Sequence, residues 1–151
     1  FGLWGERDGI WYRVREFYYD AREEGRQKTD GEYAEDLRRL AGDRCIETVI
    51  VDPSAASFME ALRREGWSVR KADNRVLEGI RRTASALKEG RIVICRECGA
   101  AAREFGLYRW EEGGDGDRVR KEFDHAMDEI RYFVMAMGEG EIARFVERDV
   151  F

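Results

Sequence analysis

Ile46-Glu47-Thr48-Val49-Ile50-Val51-Asp52-Pro53-Ser54-Ala55 is the stretch on which the fold turns. Its first six residues are rich in β-branched side chains, as in a short strand of a parallel sheet with both faces buried. Pro53 has no N–H to give to a ladder, so the strand ends before it. Ser54 is a good N-cap and predicts a helix that carries Phe58 and Leu62 and stops at Gly66. The local unit is strand, acidic turn, helix. Open α/β sheets build their sites beyond the carboxyl ends of their strands, which is where Asp52 stands. An Asp before Pro is also an ordinary turn residue, and at this point both readings are open.

Working outward, residues 67–71 read as another strand. Val76, Leu77, Ile80, Ala84 and Leu87 lie at helical spacing before Gly90, and residues 91–95 return as a strand. The punctuation is β-α-β-α-β. Upstream, residues 1–5 and 10–19 flank the turn Glu6-Arg7-Asp8-Gly9 and predict a hairpin. Thr29 or Asp30 can cap a helix over residues 30–41. Downstream, a helix over residues 100–108 leads to a loop at 111–118, where glycines alternate with acids and predict mobility. Phe123, Ala126, Met127, Ile130, Phe133, Val134 and Met137 then mark a final amphipathic helix; residues from 138 show no pattern. A hairpin followed by alternating helices and strands predicts an α/β or α+β domain, with a mixed central sheet flanked by helices on both faces.

Composition limits what such a domain does. The 151 residues suit one domain, and 43% apolar content with a single proline argues for a packed globule and against disorder or collagen. A formal charge of −5 excludes the overall basic excess of a dedicated nucleic-acid binder. Yet between Glu60 and Arg91 there are nine Lys and Arg against five Asp and Glu, a local basic patch that a solvated helix face would also explain. No run approaches the roughly 18 apolar residues of a membrane span, so no membrane is expected. Cys95-x-x-Cys98 is half a zinc pattern, but Cys45 and His125 would have to converge on it, so free thiols are expected. Phe1 in place of Met suggests a piece of something longer.

The chain's one histidine lies in Asp124-His125-Ala126-Met127-Asp128. At about 100° per residue, Asp124, His125 and Asp128 share one edge of the helix, beside its apolar stripe. The macrodipole would also account for Asp124, and a pairing with Arg131 for Asp128. Carboxylates brought from a strand end and a distant helix suit Mg²⁺ or Mn²⁺ better than zinc. Two such ions about 4 Å apart would clamp a phosphodiester, and the substrate would then be polyanionic.

Four segments, in order, carry a resemblance. They are Gly25-Arg26-Gln27-Lys28-Thr29-Asp30 with Glu32-Tyr33, Val51-Asp52-Pro53-Ser54-Ala55, Asp73-Asn74-Arg75-Val76 with Gly79-Ile80, and Asp124-His125-Ala126-Met127-Asp128 with Arg131-Tyr132. Together they resemble the C-terminal nuclease domain of the large terminase subunit of tailed phages, in its PBSX-like branch. The resemblance implies a ribonuclease H-like fold related to RuvC-type resolvases, and metal-dependent endonuclease activity that cuts concatemeric double-stranded phage DNA during packaging. It makes Asp52 and Asp128 metal ligands of a two-metal Mg²⁺ or Mn²⁺ site, Asp124 an accessory ligand, and His125 a catalytic residue at the metal edge. Arg70, Lys71, Arg81, Arg82 and Lys88 are the candidate phosphate contacts, chosen from the local basic patch.

The family's first acidic residue lies on a first strand just upstream of the apolar run that opens this chain, and no residue here matches it. The expectation is a single nuclease domain whose first strand is truncated and whose activity depends on the missing acidic residue. No G-x-x-x-x-G-K-[ST] occurs, so the ATPase domain that precedes such nucleases in cis is expected outside the chain. The portal and the small terminase subunit are further expected partners, and the host cytoplasm the expected location. Rival readings are a resolvase-like or transposase-like nuclease of the same fold, and a non-catalytic docking domain.

Overall fold

The computed structural model describes residues 1–107 and 125–137. The elements run β1 (Gly2–Arg7), β2 (Ile10–Glu16), α1 (Asp30–Ala41), β3 (Val49–Val51), α2 (Ala56–Arg64), β4 (Val69–Lys71), α3 (Val76–Lys88), β5 (Ile92–Ile94), α4 (Gly99–Leu107) and α5 (His125–Met137). The predicted loop at 111–118, Tyr108, Phe123, Asp124 and the stretch from 138 lie outside the described residues.

β1 and β2 form the expected hairpin. Asp8 and Gly9 turn it with φ of 54° and 78°, the left-handed pair that a two-residue hairpin loop requires. Thr29 caps α1 through a complete capping box with Glu32, whose carboxylate reaches back to the Thr29 N–H at 2.8 Å. The three later strands are shorter than the sequence suggests, three residues each. Ser54 corrects the reading: it does not cap α2, which begins after Ala55 with no side-chain cap. Its hydroxyl and N–H are taken by Asp52 instead.

The single sheet expected through the domain is two sheets among the described residues. One has the order β1-β2-β5, with β5 parallel to β2, and the other is the parallel pair β3-β4. Two cores accompany them. Trp4, Trp11, Ile92, Ile130, Phe133 and Val134 belong to one, built largely on α5; Leu37, Val51, Phe58, Met59 and Leu62 form the other, between α1, α2 and β3. β3 touches both, because strand side chains alternate: Val49 and Val51 point into the second core and Ile50 into the first. That two-sided burial is what the β-branched run predicts.

Candidate functional site

Asp52 follows the last residue of β3, and its two carboxylate oxygens have separate jobs. Oδ1 accepts from the Ser54 N–H at 2.7 Å and the Ser54 hydroxyl at 2.6 Å, which shapes the turn through Pro53. Oδ2 accepts from the Tyr132 hydroxyl of α5, a contact across 80 residues of sequence. Burial pushes the Asp52 carboxyl up, but the hydrogen bonds from Ser54 and Tyr132 outweigh it and hold the group below its ordinary value. The Tyr132 hydroxyl moves the opposite way, raised by burial first and then by the bond to Asp52.

Asp128 lies one helical turn before Tyr132, on the same face of α5. Its Oδ1 accepts from the Arg131 guanidinium at 2.7 Å. The pair foreseen in the sequence therefore forms, though not on a solvated face: Arg131 is 4% exposed. The bareness of Gly79 makes room for it, since a Cβ there would stand 2.3 Å from Arg131 Cγ. α3 thus presses on the stem of the arginine whose head holds Asp128. Tyr132 bonds Asp52 and lies one helical turn from Asp128 on α5.

His125 is exposed at the first residue of α5. Seven residues at about 1.5 Å of rise separate it from Tyr132, which sets it about 10 Å along the helix from the level of Asp52. It faces Tyr18, with ring centroids 6.3 Å apart, and lies within electrostatic reach of Asp20. The start of the helix is held by Glu104 of α4, fully buried, which accepts from the N–H groups of Ala126 at 2.7 Å and Met127 at 3.2 Å. Asp124 lies outside the described residues.

Behind this face, Arg13 of β2 is 2% exposed and bonds Glu129 of α5 at 2.9 Å and Glu16 at 2.6 Å. Trp4 Nε1 donates to the other Glu129 oxygen at 2.8 Å, and Glu16 accepts from the Ala100 and Ala101 N–H groups of α4. Burial would lower the Arg13 guanidinium; Glu129 and Glu16 raise it instead, so it stays charged. This network ties β1, β2, α4 and α5 together and fixes the pitch at which α5 offers Asp128 and Tyr132. The sequence reading took this stretch only as a hairpin strand and gave Arg13, Glu16 and Glu129 no role. It also assigned Tyr132 no role, although the i, i+4 spacing from Asp128 was there to find.

Of the basic candidates, Lys71 is exposed and pairs in register with Val51, so it flanks Asp52 directly; Arg70 pairs with Ile50. Arg81 and Lys88 are exposed on α3, seven residues apart and on one face. Arg82 is held by Glu78 at 2.7 Å. Cys98 is buried and its thiol donates to the Arg13 carbonyl, a structural use of that residue. Among the described residues no three His, Cys, Asp or Glu side chains gather closely enough to hold a metal ion. Asp52 and Asp128 offer the oxygen donors that Mg²⁺ or Mn²⁺ prefer, but by themselves they do not complete a metal centre.

The geometry has counterparts among solved structures. The large terminase of the thermophilic bacteriophage D6E in complex with ADP matches with a TM-score of 0.88 and 45% identity, over 92% of this chain and 36% of that one. Its ATP-gamma-S complex matches with a TM-score of 0.86 and 46% identity, over 88% and 35%. A second crystal form gives 0.87 and 45%, over 90% and 35%.

This chain is similar to one part of a phage large terminase.

It spans about a third of the length of those proteins. No family model matches the chain, and no curated protein matches it. The mixed α/β architecture is that of a terminase domain. No described helix is long and apolar enough to cross a membrane.

Proposed function

We propose that this domain is the metal-dependent endonuclease of a phage DNA-packaging terminase, cutting concatemeric double-stranded DNA. The observation that carries the reading is that Asp52, at a strand end, is bonded by Tyr132 of α5, one helical turn from Asp128. Two carboxylates delivered by separate elements to a strand's carboxyl end are suited to holding Mg²⁺ or Mn²⁺ against a phosphodiester. A bound metal would supply an activated water and neutralise charge at the phosphate. The chain's own residues would position the ligands: Tyr132 orients Asp52 and Arg131 orients Asp128, while His125, nearer the start of α5, would act on the Asp128 side. Lys71, with Arg70, Arg81, Arg82 and Lys88, would hold phosphates; the exposed face of α3 extends that surface. The remaining ligands would come from Asp124 and from the first acidic residue that the resemblance places upstream. The ATPase domain in cis, the portal and the small terminase subunit are the partners this reading implies, in the cytoplasm of a bacterial host.

One observation favours a different reading, a docking domain with a structural acidic cluster: Asp128 is already paired with Arg131, and both Asp52 oxygens are already accepting. Plasmid nicking across a Mn²⁺ titration separates the two, using a polypeptide that carries these residues together with upstream terminase sequence. The nuclease reading expects Asp128→Asn to abolish cleavage with melting temperature and DNA binding retained. Full activity of that variant would overturn the assignment.

A further inference from the structure

Ser54 serves Asp52 and not the helix it precedes. Its hydroxyl donates to Asp52 Oδ1 at 2.6 Å, and its N–H donates to the same oxygen at 2.7 Å. α2 begins two residues later with no side-chain cap, although a serine just before a helix is among the best caps. A local rule broken in favour of one carboxylate points to a job for that carboxylate. The acceptor sites show what is being restricted. A carboxylate has about four lone-pair sites, two on each oxygen. On Asp52, Ser54 fills both sites of Oδ1, and the Tyr132 hydroxyl fills one of Oδ2. Among the described residues this leaves one site, on Oδ2. Asp52 can therefore add one bond to a cation through a single oxygen, and it cannot close on a cation with both. Asp128 differs, since only its Oδ1 is engaged, by Arg131.

That restriction selects between cations. Mg²⁺ demands a near-ideal octahedron, which carboxylates binding through one oxygen fit, and Mn²⁺ takes the same octahedral oxygen set. Ca²⁺ is larger, gathers about six to eight oxygens, and readily takes both from one carboxylate. We propose that Ser54 is a specificity-determining residue: by filling Oδ1 it makes Asp52 a one-oxygen ligand and biases the site toward Mg²⁺ and Mn²⁺ over Ca²⁺. The inference rests on the metal-dependent nuclease reading and adds to it a positioning residue that acts through Asp52. Groups that hold a ligating carboxylate from behind change metal affinity by about 10–100-fold when removed. The effect of Ser54 should be of that size and should differ between the two kinds of cation.

Ser54 is exposed, so Ser54→Ala in a longer terminase polypeptide should leave the melting temperature almost unchanged. The variant keeps the backbone donor and reopens one site on Oδ1. Mn²⁺ binding, followed by the EPR signal of the free ion, and its displacement by Mg²⁺ and by Ca²⁺ read the consequence. Ser54→Ala should shift the ratio of Ca²⁺ to Mg²⁺ affinity toward Ca²⁺ by about tenfold. Ser54→Thr keeps the hydroxyl and should hold the wild-type ratio. A serine that only shapes the turn would change both affinities alike or neither. An unchanged ratio in Ser54→Ala, with Mn²⁺ binding still lost in Asp52→Asn, would overturn the inference and leave the nuclease reading standing. Mn²⁺ binding indifferent to Asp52→Asn would overturn that reading, and this inference with it.

Discussion

Two sets of charges lie back to back on α5, and the difference between them separates scaffold from site. Glu129 faces inward, where Trp4 and Arg13 each donate to one of its oxygens; Arg13, which also bonds Glu16, is 2% exposed. Asp128, the preceding residue, is 38% exposed at its side chain and has one oxygen engaged. A carboxylate whose two oxygens are both taken by a buried arginine and a tryptophan can only hold elements together. A carboxylate half in water with capacity to spare can meet something else. The same helix thus presents a structural charge and a candidate functional one on adjacent residues.

Removing Arg13 should have the largest effect. Arg13→Met removes a buried cation and leaves the half-buried Glu16 and Glu129 facing each other unpaired, which costs about 3 kcal/mol in urea unfolding. A loss under about 1 kcal/mol would mean that the network is not the scaffold described. Gly79→Ala comes next. The new Cβ must displace the Arg131 stem, and overpacking of about 1–3 kcal/mol is offset in part by a helix-propensity gain of about 1 kcal/mol. It should also loosen Asp128, visible as a changed side-chain carboxylate chemical shift by NMR; an unmoved Asp128 would uncouple α3 from the site.

Tyr132→Phe should cost about 1 kcal/mol at neutral pH, the worth of one hydrogen bond. The sign of its pH dependence follows from the two shifts. The Asp52 carboxyl is depressed in the folded protein, so its contribution is present above the unfolded value of about 4 and is lost as pH falls through the folded value. The Tyr132 hydroxyl is raised, so its contribution is present below about pH 10 and fades as pH rises beyond that. The gap between wild type and Tyr132→Phe should therefore be widest between those limits. A gap independent of pH from 3 to 11 would contradict the bond. The smallest stability effect belongs to His125→Ala, within about 0.5 kcal/mol because the side chain is exposed, while cleavage in the longer polypeptide should slow. A large fall in melting temperature would make His125 a structural residue.

Element types were legible in the sequence wherever local chemistry governs them. Thr29 with Glu32 announces α1, the pair Asp8-Gly9 the hairpin, and the β-branched run at 46–51 a strand buried on both sides. Strand lengths were less legible, because pairing partners decide them: Ile46, Glu47 and Thr48 have the composition of a strand but line an apolar cleft. Ser54 failed as a cap because Asp52, two residues earlier, competes for the same hydroxyl, and that competition depends on a turn only the fold specifies. The split into two sheets was not readable from the order of strands. Tyr132, the residue that ties Asp52 to the helix carrying Asp128, lies 80 positions from Asp52 and leaves no local trace of that contact.

The central claim is that Asp52 and Asp128 share a cation. Anomalous scattering from Mn²⁺-soaked crystals, grown from a longer terminase polypeptide, tests it most directly. The account predicts Mn²⁺ within about 2.0–2.6 Å of carboxylate oxygens from both residues, with the Tyr132 hydroxyl still on Asp52. Carboxylates more than about 10 Å apart, or Mn²⁺ bound elsewhere while Asp128 stays on Arg131, would contradict it.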